Sequence, residues 1–206
     1  MQTLHPDNIP AFWQNRWLAA ETGWDLRQAS PPLTEYAAQI PPERRDLAVL
    51  IPGCGSGHEA EFLLENGFSD VTMLDIAPAA VEKMRERFHA KLEAPNPKLS
   101  IRCGDFFEHE GQYDLILEQT FFCALPPTLR PDYAKKMHAI LRPGGKLAGV
   151  LFDRDFPGGP PFGGSRAEYE ALFEPYFDLK IMETCHNSVP PRAGTEVFFV
   201  AQRRVI

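Results

Sequence analysis

The sequence predicts an α/β fold: a seven-stranded, mostly parallel sheet with helices on both faces, an antiparallel last strand and an N-terminal helical cap. Three observations predict it. Short apolar runs of strand length alternate with segments of helical spacing, the pattern of a parallel sheet covered on both sides. The run Leu47-Ala-Val-Leu-Ile-Pro52 enters the glycine-rich turn Gly53-Cys-Gly-Ser-Gly-His58, and after a helical segment a second apolar run ends at Asp75. Strand, glycine loop, helix, strand and acid in that order form a nucleotide-binding βαβ unit. The last link, Asn187 to Thr195, holds two prolines and a glycine and no helical pattern. It suits a hairpin, so the final strand should run back against its neighbours.

In chain order, residues 1–10 read as an irregular arm, followed by a helical segment from Phe12 to Leu18 with Trp13 and Trp17 on one face. Ser30 is placed to cap a helix carrying Pro31 or Pro32 in its first turn and running through Leu33, Tyr36 and Ile40. The first strand covers 47–52. A helix near 58–66 offers Ala60, Leu63 and Leu64 to the sheet and stops at Gly67. The second strand is Val71 to Asp75. Val81, Met84, Phe88 and Leu92 then follow at helical spacing. Strands are expected at 99–103 and 113–118, a helix from about Pro131 that Leu141-Arg-Pro-Gly-Gly145 ends, and a fifth strand at 146–153. Ser165-x-x-Glu168 is a capping box opening the last helix. Strands six and seven are expected near 179–183 and 196–202.

The 206 residues suit one domain, 1–206, in which 1–45 form the cap. A net charge of −7 without a Lys/Arg cluster argues against nucleic acid. Cys54, Cys103, Cys123 and Cys185 have neither CxxC nor metal-ligand spacing, so they read as reduced thiols of a cytoplasmic protein without a metal site. No signal peptide and no apolar run near 18 residues is found, so no membrane association is expected. The expected partner is a small-molecule substrate. The chain should be a monomer or a weak homodimer, paired through the N-terminal arm.

The spacing within the glycine loop selects the ligand. A dinucleotide fingerprint wants glycine at its first, third and sixth positions. Here the sixth position is His58, and the Gly-x-Gly-x-Gly pattern resembles motif I of the class I S-adenosylmethionine methyltransferases. Asp75 follows Gly53 by about 20 residues, the spacing at which an acid meets ribose hydroxyls. Ligands of open α/β sheets sit outside the carboxyl ends of the strands. The residues delivered there are Gly53, Cys54, Gly55 and Gly57, then Asp75 and Ile76, then Asp105, Phe106 and Phe107, then Glu118 and Gln119 with Phe122, then the loop carrying Phe162. The glycine loop offers N–H groups to a carboxylate, Asp75 accepts from ribose hydroxyls, and Asp105 with Phe106 holds an adenine. Glu118 and Gln119 face the amino group or the methyl. Phe122 and Phe162 stand on the substrate side. The indoles of Trp13, Trp17 and Trp24 suit a cationic ligand.

Trp13-x-x-x-Trp17, Trp24-Asp25, Ile51-Pro-Gly-Cys-Gly-Ser-Gly-His58, Gly104-Asp-Phe-Phe107, Phe121-Phe-Cys-Ala-Leu125, Leu129-Arg-Pro131, Leu141-Arg-Pro-Gly-Gly145 and Gly158-Gly-Pro-Pro161 together resemble the thiopurine S-methyltransferase family. The nearer branch is that of the halide and thiol methyltransferases. The resemblance spans about residues 10–200. It implies a Rossmann-like class I methyltransferase fold, with the three tryptophans closing over S-adenosylmethionine. It also puts Gly53, Asp75, Asp105, Phe106 and the Glu118-Gln119 pair on that cofactor. Two departures stand out: Phe162 where plant members often carry Tyr, and Gln119 where the mammalian thiopurine branch carries Arg. The implied activity is methyl transfer to a small soft nucleophile, a thiol or a halide or other chalcogen, leaving S-adenosylhomocysteine. A thiol ionises near pH 8.5, so no catalytic base is assigned. The alternatives are a catalytically weak S-adenosylmethionine-binding module and, against the His58 position, a nicotinamide oxidoreductase.

Overall fold

A computed structural model describes Leu4 and residues 8–204. Most of the arm expected at 1–10 therefore lies outside the described residues. Within them, helix α1 (Ile9–Leu18) already starts at Ile9, with Pro10 in its first turn. It is followed by α2 (Pro31–Ala38), β1 (Ala48–Pro52), α3 (His58–Glu65), β2 (Asp70–Asp75), α4 (Pro78–Arg87) and the one-turn α5 (His89–Leu92). Then come β3 (Leu99–Cys103), β4 (Tyr113–Gln119), α6 (Arg130–Ile140), β5 (Leu141–Phe152), α7 (Arg166–Phe173), β6 (Phe177–Thr184) and β7 (Glu196–Arg203).

The seven strands form one sheet in the order β3-β2-β1-β4-β5-β7-β6. β1 to β5 pair parallel, and β7 lies antiparallel between β5 and β6. Successive β1 residues feed opposite faces. Ala48 and Leu50 join the core under α6 and α7 with Tyr133, Met137, Tyr169 and Phe173. Val49 and Ile51 join the core under α2, α3 and α4 with Leu33, Leu63, Met84 and Phe88. All five residues of β1 are buried, as a parallel strand covered on both sides requires.

Right-handed crossovers account for this division of the helices. From β1 the chain moves through α3 to β2 and through α4 to β3, and both helices fall on one face. It then returns past β1 to β4, and α6 and α7 fall on the other face. The reversal between β1 and β4 parts the loops at the carboxyl end of the sheet and opens a crevice there.

Local expectations differ from the structure at five places. β5 begins at Leu141, not Lys146, because Leu141 already pairs with Tyr113; Gly144, at φ +77°, lies where the register shifts by a bulge. The Leu141-to-Gly145 motif is thus strand with a bulge, whereas a helix-ending turn was expected. Asp153 falls just beyond β5 and accepts from the Arg166 N–H. The helix expected to run to Leu92 breaks at Phe88, whose buried ring packs into the core. Ser30 stands at the N-cap of α2, but its hydroxyl makes no cap; its N–H donates to Glu59 Oε1 at 3.0 Å. The capping box at α7 is half formed. Ser165 accepts from the Glu168 N–H at 3.3 Å, while the Glu168 carboxylate leaves to pair with buried Arg130 at 2.6 Å.

Candidate active site

A cavity of about 450 Å³ opens at the reversal point. Its floor is the glycine loop. A side chain at Gly53 would place Cβ 2.5 Å from the Phe121 ring, so only glycine lets the loop pass beneath that ring. Above Gly55 stand indoles: its Cβ would lie 3.8 Å from Trp24 Nε1 and 4.0 Å from the Trp17 ring. The three tryptophans pack edge to face, Trp24 at 5.3 Å from Trp13 and 5.9 Å from Trp17. Trp17 is anchored on Ala77, Ala79 and Ala80. Gln14 helps hold α1 in place, accepting from the Ala79 N–H at 2.9 Å.

Asp25 ties the Trp24 segment to the glycine loop. Its carboxylate accepts from Ser56 Oγ at 2.5 Å and pairs with His58 Nε2 at 2.9 Å. Burial works to raise the Asp25 pKa. The Ser56 hydroxyl, the Arg27 N–H and His58 outweigh it and hold the carboxyl below its ordinary range. His58 is therefore the first residue of α3 and part of this tether.

Asp75 ends β2 on the cavity wall and is 7 % exposed. Its oxygens accept from the Gly55 N–H at 3.1 Å and the Ala77 N–H at 2.9 Å. Burial nevertheless lifts its pKa to about 6, against those N–H donors and that of Ile76. Each oxygen keeps a lone pair for a further donor. Asp105 stands on the wall too, in a turn closed by the Phe107 N–H at 2.8 Å. Arg16 completes this half. Its guanidinium lies 5.5 Å from the Phe12 and 5.8 Å from the Trp24 ring centroid, and its buried Nε makes no hydrogen bond among the described residues.

Behind the wall, Glu118 is fully buried and straps the next loop. Oε1 accepts from the Phe121 and Phe122 N–H groups, each at 2.8 Å, and Oε2 from the Tyr133 hydroxyl at 2.7 Å. Burial raises its carboxyl to about 7 against the pull of these donors. The strap brings Thr120 onto the wall at φ +58°, rare for a β-branched residue, together with Phe121 and Cys123. Burial pushes the Cys123 thiol to about 12, with Glu118 adding to it, so the thiol is no nucleophile.

The described chain matches the model of the family described as "Thiopurine S-methyltransferase (TPMT)" over residues 9–204. It is 34% identical over 200 residues to "Probable thiol methyltransferase 2" of Arabidopsis thaliana, covering 94% of this chain and 85% of that one. It is 30% identical over 177 residues to the thiopurine S-methyltransferase of Vibrio vulnificus, covering 79% and 80%. This chain belongs to the thiopurine S-methyltransferase family. As a member it is an S-adenosylmethionine-dependent methyltransferase. Among solved structures it is similar to the 1,6-didemethyltoxoflavin-N1-methyltransferase of Burkholderia thailandensis (TM-score 0.72, 18% identity, covering 100% and 93%). It is likewise similar to the magnesium protoporphyrin IX methyltransferase of Synechocystis (TM-score 0.72, 14% identity, covering 95% and 100%). These two likenesses concern the class I fold.

The donor set suits the family's cofactor: a buried carboxylate for hydroxyls, indole faces for a sulfonium, and an unpartnered guanidinium nitrogen for a carboxylate. Of the predicted site residues, Trp13, Trp17, Trp24, Gly53, Gly55, Asp75, Ile76, Asp105, Phe106 and Phe107 line the cavity. Six others do not. Cys54 is buried in the core, its N–H on Leu74 O, because β1 turns inward before the loop rises. Gly57 faces Met73, Met84 and Phe88. Glu118 acts through its strap, and Gln119 leaves the end of β4 outside the wall, with Oε1 buried and unpaired. Phe122 is packed among Tyr133, Tyr169 and Phe173. Phe162 packs with Ile9 and Phe12, and its N–H donates to Cys123 O at 2.7 Å. Sequence reasoning missed Arg16, Arg154 and Arg192 on the wall. Arg16, between two singled-out tryptophans on α1, was the one within reach of helical spacing.

Gly57 sits at φ +74° with a Cβ position 3.0 Å from two sulfurs and a ring. Gly57→Ala should destabilise the fold by about 1–3 kcal/mol through strain and overpacking. A urea melt measures this, and an unchanged midpoint contradicts the packing role.

Proposed function

We propose that this methyltransferase acts on a small soft nucleophile, a thiol or comparable sulfur anion, within the cavity between the indole roof and the end of β5. The observation that carries the reading is the cavity wall. It unites Asp75, the glycine loop and the indoles with a second half of aromatic rings and two arginines, and among the described residues no acid or histidine lines that half. The relatives named for thiol and thiopurine methylation support it. Bound S-adenosylmethionine would supply an electrophilic methyl group for the acceptor sulfur, with S-adenosylhomocysteine as the leaving group.

The residues orient and exclude water. Asp75 accepts from ribose hydroxyls, Asp105 and Phe106 hold the adenine, and Arg16 pairs with the amino-acid carboxylate. Trp13, Trp17 and Trp24 cover the cation. Thr120 and Phe121, set by Glu118, face the acceptor. Alignment of this kind supplies roughly 7–11 kcal/mol of barrier reduction in favourable cases. A thiol losing its proton near pH 8.5 needs no enzyme base. A monomer or a weak homodimer belongs to this reading, and four free cysteines suit the cytoplasm.

Wild-type protein given S-adenosylmethionine should release S-adenosylhomocysteine with thiophenol or hydrosulfide. Cofactor binding without turnover on any thiol would favour the binding-module alternative. Asp75 binds ribose hydroxyls best when ionised, and its pKa is raised to about 6. Affinity for S-adenosylhomocysteine should therefore hold above pH 7 and weaken about tenfold by pH 5 in calorimetry. The stability term has the opposite sign. A raised carboxyl favours the folded state when protonated, so this group's contribution is lost as pH rises through 6. Asp75→Asn should bind weakly with a flat profile over that window, and a wild-type-like slope in the variant would contradict the assignment. Arg16→Gln should weaken S-adenosylhomocysteine by about tenfold or more and methylthioadenosine, which lacks the carboxylate, far less. An equal loss for both ligands excludes the pairing.

A further inference from the structure

The two halves of the cavity differ in charge. The acids on its wall, Asp75 and Asp105, lie at the ends of β2 and β3. The half beyond β5 is lined by Phe152, Phe156 and two arginines, Arg154 and Arg192, and by no acid among the described residues. The arginines are not equivalent. Arg192 lies 3.4 Å from Glu196, both largely buried, and donates to Trp24 O at 3.2 Å, so its charge is compensated.

Arg154 is exposed and its side chain makes no ion pair or hydrogen bond among the described residues. Its guanidinium lies 4.7 Å from the Phe156 ring centroid, and Phe156 packs edge to face on Phe152 at 4.9 Å. Its backbone is pinned by a bridge to Gly164, whose N–H donates to Arg154 O at 3.1 Å. Asp153 is turned away to the Arg166 N–H. The result is a cation with no ion-pair partner among the described residues, lying over an aromatic ring at the acceptor half. A guanidinium of this kind reads a planar carboxylate with two parallel hydrogen bonds.

Resting on the thiol reading above, we infer that Arg154 selects acceptors carrying a second anionic group, namely thiols of aromatic or apolar body with a carboxylate set away from the sulfur. The sulfur lies toward Thr120 and Phe121, the body along Phe152 and Phe156, and the carboxylate at Arg154.

The test is steady-state release of S-adenosylhomocysteine with 4-mercaptobenzoate and with thiophenol as acceptors. The readout is the ratio of their kcat/KM values, from which general damage to the site cancels. The ratio should fall about tenfold in Arg154→Gln, mainly through KM for the carboxylate thiol, recover in part in Arg154→Lys, and fall further in Arg154→Glu. Raised salt should lower the wild-type ratio and leave that of the Gln variant level. Turnover of both thiols with a ratio that stays within twofold across the variants overturns the inference and leaves the thiol reading standing. Turnover of neither thiol by wild-type protein that binds S-adenosylhomocysteine overturns both.

Discussion

Parallel strands joined by right-handed crossovers impose the constraint on which this molecule is built. Growth from β1 outward to β3 puts α3 and α4 on one face, and the return past β1 to β4 puts α6 and α7 on the other. Where the direction reverses, consecutive loops diverge and leave backbone groups with no neighbouring strand to cover them. The glycine loop, the end of β2 and the loop after β4 meet there. The site is thus a consequence of topology before any side chain is considered.

Two buried carboxylates then shape that opening from opposite sides. Asp75 gathers the Gly55 and Ala77 N–H groups, and Glu118 gathers those of Phe121 and Phe122 with the Tyr133 hydroxyl. Burial raises both carboxyls toward neutrality. The difference is direction: Asp75 keeps a face toward the cavity, while Glu118 spends its acceptors on protein donors. The tether of Asp25 to Ser56 and His58 closes the third side by fixing Trp24 over the glycine loop. Loops are held by hydrogen bonds to a carboxyl group at each corner, a frame suited to a reaction that depends on alignment.

The sheet, its antiparallel last strand and the half of the cavity wall formed by the glycine loop and the ends of β2 and β3 were legible because each is written locally. Strand-length apolar runs, the glycine spacing and an acid at a strand end survive folding unchanged. The misplacements came where one residue's direction depends on distant partners. Glu118 and Phe122 look like site residues by position, yet Tyr133 and Tyr169, from later in the chain, draw them inward. Gly57 looks like a ligand-binding glycine of the loop and is needed because Met73, Met84 and Phe88 crowd it. The Leu141-to-Gly145 segment looks like a turn, and only its pairing with Tyr113 makes it strand.

Sequence alone determined the βαβ unit, the alternation of strands and helices and the glycine-loop and strand-end residues that line the cavity, since hydrophobic period and glycine spacing act over a few residues. Tertiary structure decided which charges are spent and which remain. Arg192 is neutralised by Glu196, Arg130 by Glu168, and Arg154 is left facing the cavity. Pairing between side chains depends on distances across the fold, and no local pattern encodes them.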